Sequence, residues 1–347
     1  MDFKVLTRLL FFNCNNVHEG VILKVSIIGS TGRVGRAAAF CLAEENSVNK
    51  LVLIAREESI DKIEGESLDI YDALAAKGVY VSIKTSSDLN DIKGSNVIVL
   101  SAGASRSPGM EREDLGVLNA KIVADYAKKI AEVSPDSIIL VITNPVDVMT
   151  YVALKASGFK KDKVFGLGNH LDSLRFKTYM AKHFHVHVSE IHTRIIGQHG
   201  PHMVPLISST SIGGIPIEYY SAWDYFTGYQ PFDIKKTIEK VKNAGSNIIS
   251  KKGATEYGPA FAISNIVTTI LNDERKILTV TAYLEGDIEG INDVCLGVPV
   301  KLGIKGIEGI LPIKMSTGER ESFMKAAEVV KTDTEKIVEH LKSEDIL

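Results

Sequence analysis

Lys24-Val25-Ser26-Ile27-Ile28-Gly29-Ser30-Thr31-Gly32-Arg33-Val34-Gly35-Arg36 is the stretch from which the fold is read. Val25, Ile27 and Ile28 form a short apolar run, which predicts a buried strand. Gly29, Gly32 and Gly35 follow at three-residue spacing, and Ala37 to Ala43 has the composition of a helix packed against a sheet. Strand, glycine turn and helix N-terminus in that order make a phosphate-binding device. The glycines let the backbone turn sharply and approach a pyrophosphate, and the helix end offers unpaired N–H groups and a positive dipole. A plain βα turn with small packing residues would carry the same glycines. The flanking strand and helix favour the dinucleotide reading, with Gly29, Ser30, Thr31, Gly32, Arg33, Val34 and Gly35 as candidate cofactor contacts.

Outward from this unit, apolar runs predict strands at 51–55, 79–83, 97–101 and 137–142, with helices over 63–76 and 115–133 and a polar loop over 104–114. Nearly all-apolar strands alternating with helices indicate a parallel sheet covered on both faces, a doubly wound Rossmann domain. Its ligands belong at the C-terminal strand ends, where Gly29–Gly35, Arg56, Arg106, Thr143 and Asn144 fall. Beyond it the pattern is mixed α+β: a helix over 171–182, a strand over 190–197, long helices near 233–250 and 257–272, strands near 277–285 and 294–302, and a charged helix over 317–343. This half has no glycine-phosphate device of its own and is assigned to substrate. The expected division is a non-core extension at 1–23, a dinucleotide-binding domain at 24–166 and a substrate domain at 167–347.

The 347 residues allow two domains with ample core, and 45% hydrophobic with 24% charged residues is ordinary for a globular protein. A net charge of −3 argues against nucleic-acid binding. Cys14, Cys41 and Cys295 are scattered, which suits a reducing cytoplasm and gives no disulfide framework or zinc site. No apolar run reaches the roughly 20 residues of a membrane span. In the N-terminal segment Arg8 interrupts the apolar residues and no small-residue cleavage site follows, so a signal peptide is not expected. Residues 1–22 are expected to be dispensable, with an upstream start codon as the working explanation.

Three segments fit one reaction. The loop from Arg106 to Arg112 leaves the fourth strand and presents two arginines. In Leu171-Asp172-Ser173-Leu174-Arg175, Asp172 and Arg175 share a helix face. Ile196-Gly197-Gln198-His199-Gly200 places a histidine at a strand end. Taken singly these would be a solvated basic loop, a surface ion pair and a structural histidine. Taken together they equip a 2-hydroxy-acid dehydrogenase. His199 takes the hydroxyl proton while hydride leaves the same carbon. Asp172 fixes the imidazole tautomer and stabilises its cation. Arg175 forks onto the substrate carboxylate, and Arg112 polarises the carbonyl.

From Lys24 to near the C-terminus the sequence resembles the lactate/malate dehydrogenase family, nearest its methanogen branch. GSTGRVG, RSPGMER, TNPVDVMTY, GLGNHLDSLR and IGQHG occur in the family's order and spacing. The resemblance implies reversible hydride transfer between (S)-malate and oxaloacetate, with His199 as proton acceptor and Asp172 its partner. It makes Arg175, Arg106 and Arg112 the substrate arginines, sets Asn119 near cofactor and substrate, and assigns Asn144 to substrate. It also implies a homodimer or homotetramer. Lactate dehydrogenase is the alternative within the family, where Gln usually replaces the Arg at position 106; a catalytically silent nucleotide-binding protein is the alternative outside it. The chain departs from the family at Gln198 and Pro201, usually Glu and Asp, and at Ser105, often Pro.

Two further readings concern ligands. In NAD enzymes an acid at the end of the second strand bonds the ribose and repels a 2′-phosphate. Here that position is Ala55, followed by Arg56 and Ser59, which suit a phosphate; Glu57 and Glu58 would oppose one if they turned inward. NADP(H) is therefore expected to serve at least as well as NAD(H). His183, His185, His187 and His192 invite a metal reading through alternation on a strand, but no Cys or carboxylate completes a set, and no metal is expected.

Overall fold

The computed structural model describes residues 22–104, 112–222 and 232–347. The expectations for the N-terminal extension up to residue 21 and for Arg106 lie outside these residues.

Strand β1 (Lys24–Ile28), the glycine turn and α1 (Arg33–Ala43) follow one another as the opening stretch predicts. Then come β2 (Lys50–Ile54), α2 (Ile60–Lys77), β3 (Ser82–Ser86), β4 (Val97–Leu100), α3 (Arg112–Val133), β5 (Ile138–Val141), α4 (Val146–Ser157) and β6 (Val164–Gly166). These six strands pair in parallel in the order β3-β2-β1-β4-β5-β6. The strand residues alternate between two apolar layers. Val25, Leu51, Leu53, Val97 and Val99 face one, with α1 and α2; Ile28, Val52, Ile54, Ile98 and Leu100 face the other, with α3 and α4. Burial on both faces is why these strands, the exposed edge strand β3 excepted, read as largely apolar runs.

The sheet continues without interruption into the second half. Helix α5 (Asn169–Phe184) leads to β7 (Ile191–His192), β8 (Ile195–Gly197), β9 (Met203–Pro205), β10 (Ser211–Ile212) and β11 (Ile215–Pro216). Helices α6 (Ile234–Lys242), α7 (Ala244–Lys252) and α8 (Tyr257–Leu271), strands β12 (Ile277–Glu285), β13 (Asn292–Gly303) and β14 (Gly306–Ile310), and helix α9 (Thr317–Ser343) complete the chain. Antiparallel β12, β13, β8 and β9 extend the sheet beyond β6, joined at the Thr281–Gly166 pair. Strands β11, β10 and β7 form a small separate sheet over α5. Helix α9 starts on a capping box made by Ser316 and Glu319. Among the described residues no helix is long and apolar enough to cross a membrane.

Several elements differ from the sequence reading. The third strand runs three residues later than 79–83. Gly78 closes α2 in the left-handed conformation and Val79 N–H bonds back to Leu74, so the apolar Val79 and Val81 finish a helix rather than open a strand. The strand expected over 190–197 is two strands, because the chain passes at Thr193–Arg194 from the small sheet (β7) to the large one (β8). The helix expected at 233–250 breaks at Asn243. The loop expected to 114 gives way to helix at Arg112, with Glu113 and Asp114 in its first turn. Helix α4 had no counterpart in the reading; it is buried almost throughout, so it lacks the polar face that periodicity detects. The four histidines span a helix–strand junction and not one strand: His183 lies in α5, His185 is its left-handed C-cap, His187 caps a short 3₁₀ turn, and His192 lies in β7. Among the described residues no three His, Cys, Asp or Glu side chains form a metal-holding group.

Candidate active site

The glycine turn is built by close approach. Gly29 has φ +87°, and a Cβ there would sit 2.6 Å from the Ala102 nitrogen. A Cβ on Gly35 would sit 2.4 Å from the Gly29 carbonyl oxygen. Gly32 is the N-cap of α1 and supplies no side-chain hydrogen bond, and the first turn carries no acidic residue. The orphan N–H groups and dipole of α1 are therefore left for an anion, and the turn fits the pyrophosphate of a dinucleotide. Ser30 anchors the turn. Its hydroxyl and its N–H both donate to the Ile54 carbonyl, at 2.8 and 3.2 Å, so the side chain ties the turn to β2. Arg33 reaches across to Glu256 at 3.7 Å, while Thr31 and Val34 are half-buried.

At the end of β2, Ala55 is buried and Arg56 exposed. Arg56 pairs with Glu58 at 3.0 Å in solvent. Glu57 accepts a hydrogen bond from the Ser87 hydroxyl, and Ser59 is half-buried at the start of α2. Glu57 thus has a partner outside this connection, while Glu58 is paired with Arg56 itself.

Asn119, on α3, holds the ends of β4 and β5 together. Its Oδ1 accepts from Ala104 N–H at 2.7 Å and its Nδ2 donates to the Asn144 carbonyl at 2.8 Å. The side chain is buried and acts as a latch between these two strand ends. Thr143 donates to the Ala102 carbonyl at 2.6 Å, and Asn144 is exposed beside it. Arg112 opens α3, but its side chain lies outside the described residues.

The chemistry gathers where α5 meets the end of β8. His199 Nδ1 lies 2.7 Å from Asp172 Oδ2, and Arg175 Nη1 donates to Asp172 Oδ1 at 3.2 Å. Asp172 is 1% exposed, which excludes a surface ion pair. Burial alone would raise the Asp172 carboxyl, but attraction and hydrogen bonding from His199 and Arg175 outweigh it and hold the group below its ordinary 3.8. For His199, burial alone would lower the imidazole; attraction and a hydrogen bond from Asp172, with attraction from Asp147, carry it above 6.5. Asp172, held as a carboxylate, therefore accepts the hydrogen bond from Nδ1–H and leaves Nε2 to exchange a proton.

Sequence reasoning missed four supports of this corner. Asp147, in the first turn of α4, accepts the His199 backbone N–H on Oδ2 at 2.8 Å and the Thr281 hydroxyl on Oδ1 at 2.7 Å. Asn169 donates to the Gln198 carbonyl at 3.1 Å, bracing the residue before His199. Ser173 accepts from Ile195 N–H at 3.0 Å and so fixes β8 to α5. Asp147 and Asn169 lie inside TNPVDVMTY and GLGNHLDSLR, and a lone Asp amid Val146 to Leu154 was a legible sign of a buried polar contact. Thr281 and Ser173 gave no such sign.

Residues 23–166 match the NAD-binding domain of lactate/malate dehydrogenases, and residues 169–341 match the alpha/beta C-terminal domain of the same proteins. The chain belongs to the lactate/malate dehydrogenase family. Among its relatives is a malate dehydrogenase of Methanothermobacter marburgensis, 67% identical over 93% of this chain and 99% of that protein. An L-2-hydroxycarboxylate dehydrogenase (NAD(P)(+)) of Methanocaldococcus jannaschii is 51% identical over 91% of this chain and 99% of its own length. The crystal structure of the minor L-lactate dehydrogenase of Enterococcus mundtii superposes with a TM-score of 0.85 at 34% identity, covering 91% of this chain and 98% of that one. As a family member the chain is an oxidoreductase with a dinucleotide-binding Rossmann domain that takes NAD(H).

Proposed function

We propose that the protein is a malate dehydrogenase that interconverts (S)-malate and oxaloacetate with NAD(H) or NADP(H). The observation that carries the reaction type is the 2.7 Å contact between His199 and a buried, ionised Asp172, with Arg175 beside it. In this reading Nε2 of His199 takes the hydroxyl proton of malate and returns it to the oxygen of oxaloacetate. Asp172 holds the tautomer and offsets the imidazolium charge. Arg175 binds the carboxylate next to the reacting carbon, and Asn144, exposed at the end of β5, adds a hydrogen bond to substrate. Arg106 meets the second carboxylate of oxaloacetate, and Arg112 polarises the carbonyl. The nicotinamide, when bound, supplies or accepts the hydride. The residues after β1 hold the pyrophosphate through backbone N–H groups, and Asn119 and Thr143 keep the β4 and β5 ends in place for the nicotinamide side.

The domain boundary near residue 166 is part of this reading, as are a cytoplasmic location and assembly into a homodimer or homotetramer. Cys41 and Cys295 remain free thiols, which supports a reducing compartment. Phe40 on α1, and Tyr257 and Phe261 on α8, are exposed apolar side chains on helices that pack together, which supports a partner copy.

Use of NADP(H) at least as well as NAD(H) rests on Ala55, on Arg56 and Ser59, and on the engagement of Glu57 by the Ser87 hydroxyl, against which stands the Arg56–Glu58 pair. An exposed pair such as Arg56–Glu58 is worth only about 0–1 kcal/mol, so a 2′-phosphate can displace it. The NAD(P)(+) relative from Methanocaldococcus jannaschii supports the same choice and favours a second reading, a broader 2-hydroxycarboxylate dehydrogenase.

The test is the fall in reduced-cofactor absorbance with oxaloacetate or pyruvate, each with NADH and NADPH. Pyruvate leaves Arg106 unpaired in a closed site, a loss of roughly 2–5 kcal/mol. Oxaloacetate is therefore expected to have a kcat/KM tens to thousands of times higher, with Arg106→Gln narrowing the gap. Equal values for the two substrates would support the broader reading, and no turnover of either would refute both.

A further inference from the structure

His199 has a second carboxylate behind it. Asp147 enters from the first turn of α4 and is 4% exposed. Both of its oxygens are engaged, one by the His199 backbone N–H and one by the Thr281 hydroxyl of β12. It therefore ties three elements together at the residue that carries the imidazole. Near Asp147 lie Asp172 from α5 and the buried thiol of Cys295 from β13, whose ionisation burial suppresses; Arg175 from α5 acts on His199. Among the described residues the charges facing His199 are thus two carboxylates and one guanidinium. That cluster is neutral when the imidazole is protonated and one negative charge in excess when it is not.

Resting on the reading of His199 as the proton acceptor, we propose that Asp147 is a positioning residue for proton transfer: it fixes the His199 backbone between α4 and β12 and its charge helps hold the proton on the imidazole. A structural role alone would need only hydrogen-bond acceptance. A neutral amide supplies that as well, because the Thr281 hydroxyl can turn to accept. Burial pushes the Asp147 carboxyl up to about 6, while the Thr281 and His199 contacts pull it back. It is therefore mainly ionised above that value and becomes neutral in mild acid.

The experiment is the pH dependence of kcat/KM for malate oxidation and oxaloacetate reduction with NAD(H) in the wild type, Asp147→Asn, Thr281→Val and Thr281→Ser, with His199→Asn as reference. Removing the Asp147 charge lowers the proton affinity of the imidazole. The rising limb for malate and the falling limb for oxaloacetate are both expected to move to lower pH in Asp147→Asn, by about 1 unit. Thr281→Val removes a hydrogen bond to the charged carboxylate, so Asp147 protonates more readily and the limb moves the same way by less; Thr281→Ser restores it. A uniform loss of rate with the limb in place in Asp147→Asn overturns the proposal. If Asp147→Asn fails to fold, an unmoved limb in Thr281→Val overturns it instead. A limb that persists in His199→Asn refutes the proton-acceptor reading itself. A limb lost in His199→Asn but unmoved in Asp147→Asn refutes only the role of Asp147.

Discussion

At the glycine turn after β1, no side chain caps the helix and the anion site is made of backbone. At the corner after β8, the buried Asp172 carboxylate holds an imidazole and a guanidinium, and a second buried carboxylate, Asp147, holds the backbone of the same histidine. The first region binds charge by leaving N–H groups free, so it is sensitive to a Cβ in the wrong place and tolerant of surface side chains. The second works by opposing large desolvation costs against close ion pairs, so it is sensitive to the loss of a single charge. The same kind of substitution should therefore act very differently in the two places.

The largest of the expected effects here belongs to Asp172→Asn, which keeps the shape and removes the anion. Turnover should fall on the order of 10²–10⁴, the range that general acid–base catalysis supplies. Its stability effect has a definite pH window. Asp172 is held low, so its contribution is present above the ordinary 3.8 and lost as pH falls through the lower folded value. His199 is held high, so its contribution is fully present below 6.5 and lost as pH rises through the raised folded value. The excess Tm of wild type over Asp172→Asn should therefore be widest between these limits and shrink on either side. A gap independent of pH would break the contrast between the regions.

Next comes Gly35→Ala. The added Cβ meets backbone at 2.4 Å, so the turn must shift, at a cost of about 1–3 kcal/mol and with weaker cofactor binding. Gly32→Ala, whose Cβ would lie 3.3 Å from the same carbonyl, should cost less. Fluorescence titration with NADH checks both, and equal affinities in the two variants would argue against the close-approach account. The smallest effect is Arg56→Ala. The arginine side chain is 76% exposed, so its loss should lower kcat/KM with NADPH only about tenfold, near the lower end for a charged hydrogen bond, and leave NADH unaffected. Unchanged NADPH kinetics would show that Arg56 does not meet the phosphate.

The backbone-built region was legible in the sequence, because its signal is local: Gly29, Gly32 and Gly35 sit between an apolar run and a small-residue helix within a dozen positions. The register of β3 was not, because Val79 and Val81 look the same closing a helix as opening a strand. In the charged corner, Asp172 and Arg175 were readable as a helix-face pair and His199 as a strand-end residue. Their assembly depends on β8 and α5 meeting in space, which only the resemblance supplied. Asp147 stood out as a lone acid in an apolar run, but its partner Thr281 could not be read, because it lies 134 positions away and bonds across two layers. A sequence gives no local trace of such a contact.

The central claim is that His199 moves the proton, and single-turnover oxaloacetate reduction in His199→Asn tests it most directly. The enzyme is preloaded with NADH at a measured Kd, then mixed rapidly with oxaloacetate while the absorbance of the reduced cofactor is followed. The expected result is an NADH Kd within a few-fold of wild type and a hydride-transfer rate lower on the order of 10²–10⁴. A rate close to wild type, with NADH bound equally well, would contradict it.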